Sequence, residues 1–223
     1  MSLTSPIFSA LVLATFAGGS GPIPKEGELN PHVLRVFDSY PKDGSHGYWW
    51  PKGSAWEGTT RDLVYLGKKI ASGDSEKRSY CSGITFEVFF RAYEEWCAEK
   101  KEPFRIGRLN AATIGDFRRA WYGSDGDRRC IYHALVDFEL GTAVEKREEA
   151  KPGDFVQFWR HNGSGHSVIF LEWKRKGREI VGLRYGSTQG ATNGIGVHTE
   201  NFGDRGRAID PAQVYLVRVG RKY

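Results

Sequence analysis

Apolar residues recur with a helical period behind Cys81. Phe86, Phe89, Phe90, Tyr93, Trp96 and Cys97 fall at i, i+3, i+4, i+7, i+10 and i+11, one continuous stripe. Glu87, Arg91, Glu94, Glu95 and Lys100 fill the other positions and are expected to face water. Cys81 therefore stands at, or just before, the start of a buried helix. Two more helical stretches are expected near 110–122 and 128–140, with "GSDGDRR" between them. The Asp pair in that loop hints at calcium, but no ligand set follows at the loop spacing, so it reads as a turn. Upstream, His32 to Tyr40 reads as a short helix or strand, and "TRDLVYLGKK" at 60–69 as a short helix.

The period changes after residue 150. "KPGDFVQFWR" reads as a turn and a strand, "GHSVIFLEW" as a strand, "KRKG" as a turn and "EIVGLRYGS" as the returning strand. "GIGVHTENF" and "QVYLVRVG" add two more. Helices followed by an antiparallel meander predict an α+β fold, with helices packed on one sheet.

Composition narrows the class. The chain has 223 residues and 39% hydrophobic content, enough for one sizeable core. The formal net charge of +5 suits an anionic partner, but no Lys/Arg run is dense enough to argue for nucleic acid. The apolar run 7–17 has the length of a signal-peptide core, although no Lys or Arg precedes it, and it is too short for a membrane span. It reads either as a signal remnant, which points to export to the cell envelope or beyond, or as a buried segment of a cytoplasmic protein. Residues 20–30 read as a linker, so the expected division is an N-terminal segment 1–30 and one domain 31–223, with a helical insert at about 101–148. Three cysteines without a CxxC argue against a thiolate zinc site and leave at least one free thiol. Cys97 and Cys130 lie in helical stretches and read as small core residues.

Cys81 is different. A cysteine at a helix N-terminus meets the positive end of the helix dipole and unpaired N–H groups, which favour thiolate and can receive an oxyanion. A thiolate nucleophile needs a base. His166 opens an apolar strand beside Gly165; taken alone, it reads as a surface histidine ending a loop. The loop "PKDGSHGYWWPKGSAWEGTT" carries Trp49, Trp50 and Trp56, which either line a groove or plug the core.

Taken together, Tyr80-Cys81-Ser82-Gly83, Pro152-Gly153-Asp154-Phe155-Val156-Gln157-Phe158 and Gly165-His166-Ser167-Val168-Ile169-Phe170-Leu171 form an ordered set. In this order they resemble the NlpC-like branch of papain-fold cell-wall peptidases and the related CHAP amidases, over roughly 60–197. "YLGKKIASG" at 65–73 is similar to the helix end that precedes the cysteine there. The resemblance implies a papain-like fold, Cys81 as nucleophile and His166 as general base. It also implies amide cleavage in peptidoglycan peptides through a thioester, with no cofactor or metal. That family's third member is a polar residue on the strand after the histidine. A hairpin turning near Lys176 would set His166 opposite Gly186, which has no side chain. Gln189 is then the first candidate, Ser187 the second and Asn193 the third. Trp49, Trp50, Tyr80 and Ser82 are the candidate substrate-binding residues. Two departures stand out: Tyr80 replaces the usual Asp before the cysteine, and Lys69-Ile70 stand where a tyrosine is expected. The alternatives are a thiol acyltransferase, a non-catalytic glycan- or peptide-binding module on the same fold and, last, a metal hydrolase using His161, His166 and His198. Oligomeric state is left open.

Overall fold

A computed structural model describes residues 21–51, 53 and 56–222. The apolar run 7–17 lies outside them. The helices are α1 (Asn30–Asp38), α2 (Cys81–Glu99), α3 (Ile114–Trp121) and α4 (Cys130–Asp137). The strands are β1 (Leu63–Tyr65), β2 (Lys68–Ala71), β3 (Gly141–Ala143), β4 (Phe155–Arg160), β5 (Gly165–Lys176), β6 (Glu179–Gln189), β7 (Gly194–Asn201) and β8 (Ile209–Val219). Strands β3 to β8 form one antiparallel sheet in the order β3-β8-β4-β5-β6-β7. The mixed α+β class expected from the two periodicities is what the chain adopts.

Alternate strand residues feed two apolar layers. Phe155, Ile169, Val217 and Val219 join the helices in one core around Phe86, Phe89 and Trp121. Val156, Phe158, Val168, Phe170, Leu183, Tyr185 and Leu216 form a second cluster on the other sheet face, closed over by Trp173, Phe202 and Val214. Because both faces are covered, the strands read as almost unbroken apolar runs.

Helix α2 begins at Cys81 and carries the expected stripe, but Glu87 does not face water. It is fully buried and accepts hydrogen bonds from Thr60 N–H (2.7 Å), Thr60 Oγ1 (2.7 Å) and Tyr40 Oη (2.8 Å). A buried carboxylate is tolerated when its oxygens are saturated in this way. Residues 60–69 form a hairpin rather than a helix. Leu66 (φ 51°) and Gly67 (φ 77°) both take positive φ, the two-residue turn whose twist matches paired strands. The segment 65–73 is thus hairpin, not a helix end. Residues 21–30 are no linker either. Gly21 N–H bonds the Gly107 carbonyl, Lys25 pairs with Arg221, and Leu29 is buried in the main core. The folded body therefore extends upstream of residue 31. No described helix is long and apolar enough to cross a membrane.

Candidate active site

Tyr80, extended at φ −129°, ends the approach to α2, and the first helical bond runs from Ile84 N–H to the Tyr80 carbonyl. The N–H groups of Cys81, Ser82 and Gly83 precede that bond, and no acidic residue lies in the first turn. The helix end thus offers donors and positive potential to one anion, the Cys81 thiolate. Gly83 has a local reason. A Cβ there would lie 2.1 Å from the Gly58 carbonyl oxygen, so only glycine lets the 57–58 backbone cross the first turn.

His166 is the second residue of β5 and is almost fully buried. Phe158 (5.6 Å) and Tyr185 (5.5 Å) pack edge-on against its imidazole and fix the ring plane. Tyr185 is in turn anchored by Glu200 (2.5 Å), which also binds Arg160 in a fork at 2.5 and 2.7 Å. His166 Nε2 lies 3.0 Å from Gln189 Oε1, which leaves Nδ1 for the thiol. Burial pushes the Cys81 thiol up, but its hydrogen bond with His166 and the charge of that ring, helped by Ser167 N–H and Ser82, bring it down from 9.0 to about 7. The described groups therefore form a thiol–imidazole pair with an amide behind it.

Gln189 reaches His166 because the β5–β6 turn falls at residues 177–178, with Lys176 paired to Glu179 and Ile169 to Gly186. Carried three residues further, this register brings Gln189 level with His166. The position opposite His166 is therefore not Gly186. Ser187 is corrected: it is fully buried and donates to the Ser167 carbonyl (2.8 Å), a sheet bond that ties it away from the imidazole. Asn193 occupies a left-handed turn position (φ 50°) just beyond Gln189.

A groove of about 930 Å³ runs across the thiol, with Tyr48, Trp50, Tyr122, Cys130 and Trp159 along its wall and His166, Gln189, His198, Glu200 and Arg207 also lining it. Trp50 is 57% exposed and contributes to the wall, and Ser82 lies in the floor with its Oγ 3.4 Å from Ser167 Oγ. Trp49 and Tyr80 are corrected as groove residues. Trp49 stacks on Trp56 (5.1 Å) beneath the Arg78 guanidinium (4.1 Å). Tyr80 is buried, donates to the Trp56 carbonyl (3.0 Å) and supports Trp50 from behind (4.5 Å). Both are buttresses of the wall. Of the two readings of the tryptophan loop, Trp50 lines the groove, and neither Trp49 nor Trp56 joins a core cluster.

Two side chains escaped the reading of the sequence. Tyr48 lines the groove, and burial together with the nearby Cys81 charge raises its phenol above the ordinary value. It stays protonated, a donor, when the thiol ionises. It adjoins the Trp49-Trp50 pair, and that adjacency was the available signal. Gln157 is the second. Its Oε1 accepts from Ser167 Oγ (2.7 Å) and Cys130 Sγ (3.4 Å), so it joins the groove floor to α4. A lone polar residue in the apolar run "FVQFW" was its mark. Burial pushes the Cys130 thiol to about 12, and the fully buried Cys97 donates to the Arg105 carbonyl; both are packing residues. His161 turns to the Gly203 carbonyl (2.8 Å), and Asp127 engages His133 (2.8 Å). Among the described residues no three His, Cys, Asp or Glu side chains converge on a metal position. No family model, no curated protein and no solved structure matches this chain.

Proposed function

We propose that this chain is a papain-like cysteine hydrolase that cleaves amide bonds in peptidoglycan peptides at the cell envelope. The observation that carries the chemistry is the array of Cys81 at a helix N-terminus, in one groove with a buried His166 whose Nε2 meets Gln189 at 3.0 Å. The wall peptide follows from the resemblance to NlpC-like and CHAP-like enzymes and agrees with the +5 net charge.

In this reading the thiolate attacks the amide carbonyl and forms a C–S bond. The oxyanion takes hydrogen bonds from the N–H groups of the first turn of α2 and from Tyr48 Oη. The C–N bond then breaks as His166 Nδ1–H protonates the leaving amine. Water, deprotonated by His166, adds to the thioester, and the thiolate departs with the acid released.

The test is incubation of purified peptidoglycan and of its stem and bridge peptides with the protein and with Cys81→Ala, counting newly exposed amino groups. The wild type is expected to release them and Cys81→Ala to stay at background. Equal background for both, across all these substrates, would rule out the hydrolase. An acyltransferase would show itself by joining the acyl group to an added amine in place of water. Tyr48→Phe is expected to lower kcat by about 100-fold with KM within roughly twofold, since an oxyanion donor acts mainly in the transition state. An unchanged kcat would remove Tyr48 from the mechanism.

A further inference from the structure

The amide of Gln189 can face His166 with either its oxygen or its nitrogen, and the two choices demand opposite imidazole tautomers. What decides lies one residue further out. Gln189 Nε2 is 2.7 Å from Thr192 Oγ1. That hydroxyl has one proton, and its other neighbours are the carbonyls of Gly194 (2.6 Å) and Gln189 (3.3 Å), which only accept. The proton goes to a carbonyl, so Thr192 can serve Gln189 only as an acceptor. Gln189 must then present N–H to Thr192 and Oε1 to His166. His166 Nε2 must donate, and the Nδ1 lone pair is left for the thiol.

We propose that Thr192 is a positioning residue that sets the tautomer of His166 through Gln189. This rests on the Cys81–His166 pair of the preceding reading, not on its substrate.

The backbone is built to hold that hydroxyl in place. Gln189 is extended, Gly190–Thr192 makes one tight turn, and Asn193 at φ 50° turns the chain back. Gly194, at φ 116°, runs so close to the His46 carbonyl that a Cβ would sit 2.0 Å from it. A Cβ on Gly196 would lie 2.8 Å from Thr192 Cβ and 3.1 Å from Cγ2, so the Thr192 side chain rests on bare Gly196 backbone. The β-branched side chain is stiff at χ1, and its hydroxyl is held between Gln189 Nε2 and the Gly194 carbonyl. The titratable groups around the imidazole are Cys81, Tyr185 and the Glu200–Arg160 pair, whereas the hydrogen bonds of Thr192 go to Gln189 and Gly194.

The test uses Thr192→Val, which keeps the shape and removes the hydroxyl, and Thr192→Ser, which keeps the hydroxyl. The readouts are the ¹⁵N shifts of His166 and the apparent pKa of Cys81 from iodoacetamide labelling against pH. In the wild type and Thr192→Ser, the neutral ring of His166 is expected as the Nε2–H form, and the Cys81 pKa values of the two proteins are expected within about 0.3 unit of each other. Thr192→Val is expected to mix in the Nδ1–H form and raise the Cys81 pKa by about half a unit to one unit, the worth of one neutral hydrogen bond. A Thr192→Val protein that keeps the wild-type tautomer and pKa overturns the proposal. If valine prevents folding, Thr192→Ala is measured in its place with the same criteria. A depressed Cys81 pKa that ignores Thr192 removes the relay and leaves the pair. A relay that responds while no wall peptide is cleaved leaves Thr192 in its role and removes the substrate.

Discussion

In His166→Ala, Cys81 loses the partner that holds its pKa at about 7, and burial alone then acts on the thiol. Its apparent pKa is expected to rise to 9 or above. The sign follows from which form carries charge. His166 favours thiolate, so labelling of the wild type rises as pH passes upward through 7, and in the variant the rise begins about two units later. At pH 7 roughly half of the wild-type thiol is ionised, against about 1% for a pKa of 9. The rate at pH 7 should fall less than that ratio, to roughly a sixth, because a more basic thiolate is more nucleophilic. The alkaline plateau should therefore be higher in the variant than in the wild type. Two crossing pH profiles are the signature. Turnover has no such compensation, since the leaving amine also loses its acid, and kcat should fall at least about 1000-fold. Superimposable labelling profiles for the two proteins would remove the thiol–imidazole pair.

The largest expected loss of stability comes from Asp154, in the Pro-Gly-Asp turn before β4. It is fully buried. Its two oxygens take Arg218 Nε and Nη2 at 2.8 Å each, together with Asn30 Nδ2 (2.8 Å) and Lys151 N–H (2.8 Å). Arg218 also reaches Glu26 (3.1 Å), so one cluster joins the upstream segment, α1 and the sheet. Asp154→Ala leaves a buried guanidinium with only Glu26 as counter-charge. Breaking one side of a buried pair costs about 3–5 kcal/mol. For a chain of this size that corresponds to a melting point lower by roughly 6–20 °C. Thermal unfolding followed by circular dichroism checks it. A change under about 2 °C would mean that the cluster contributes nothing net. Arg218→Met with Asp154→Leu should recover part of the loss, since replacing both partners removes the orphaned charge.

The helix bearing Cys81 and the strands after residue 150 were legible because each rests on a local period. Glu87 was misread by the same logic. Its place in the heptad is polar, and what buries it are Tyr40 and Thr60, 47 and 27 residues away in the chain. Residues 60–69 were misread because Leu66 occupies a turn position with positive φ, for which leucine gives no signal. Gln189 was reached as a neighbour of Gly186, but Gln189 itself stands level with His166. The residue that faces His166 depends on where the hairpin turns, and a turn in "KRKGRE" is not fixed to one residue by its composition. Thr192 could not have been placed from the chain alone, because a loop closure, Gly194 against the His46 carbonyl, holds its turn at the site. Tyr80 and Trp49 illustrate the converse. Their position beside a candidate nucleophile or within an aromatic loop said nothing about which way they turn.

The three free cysteines differ by environment rather than by exposure alone. Cys97 and Cys130 are held protonated by burial, and Cys81 is ionised near neutrality. In the native state near neutral pH the chain thus behaves toward a small electrophile as if it had a single sulfur. One equivalent of label counts competent molecules in a preparation, and a spectroscopic tag can be set in the groove of the unaltered sequence, without first deleting the other two thiols.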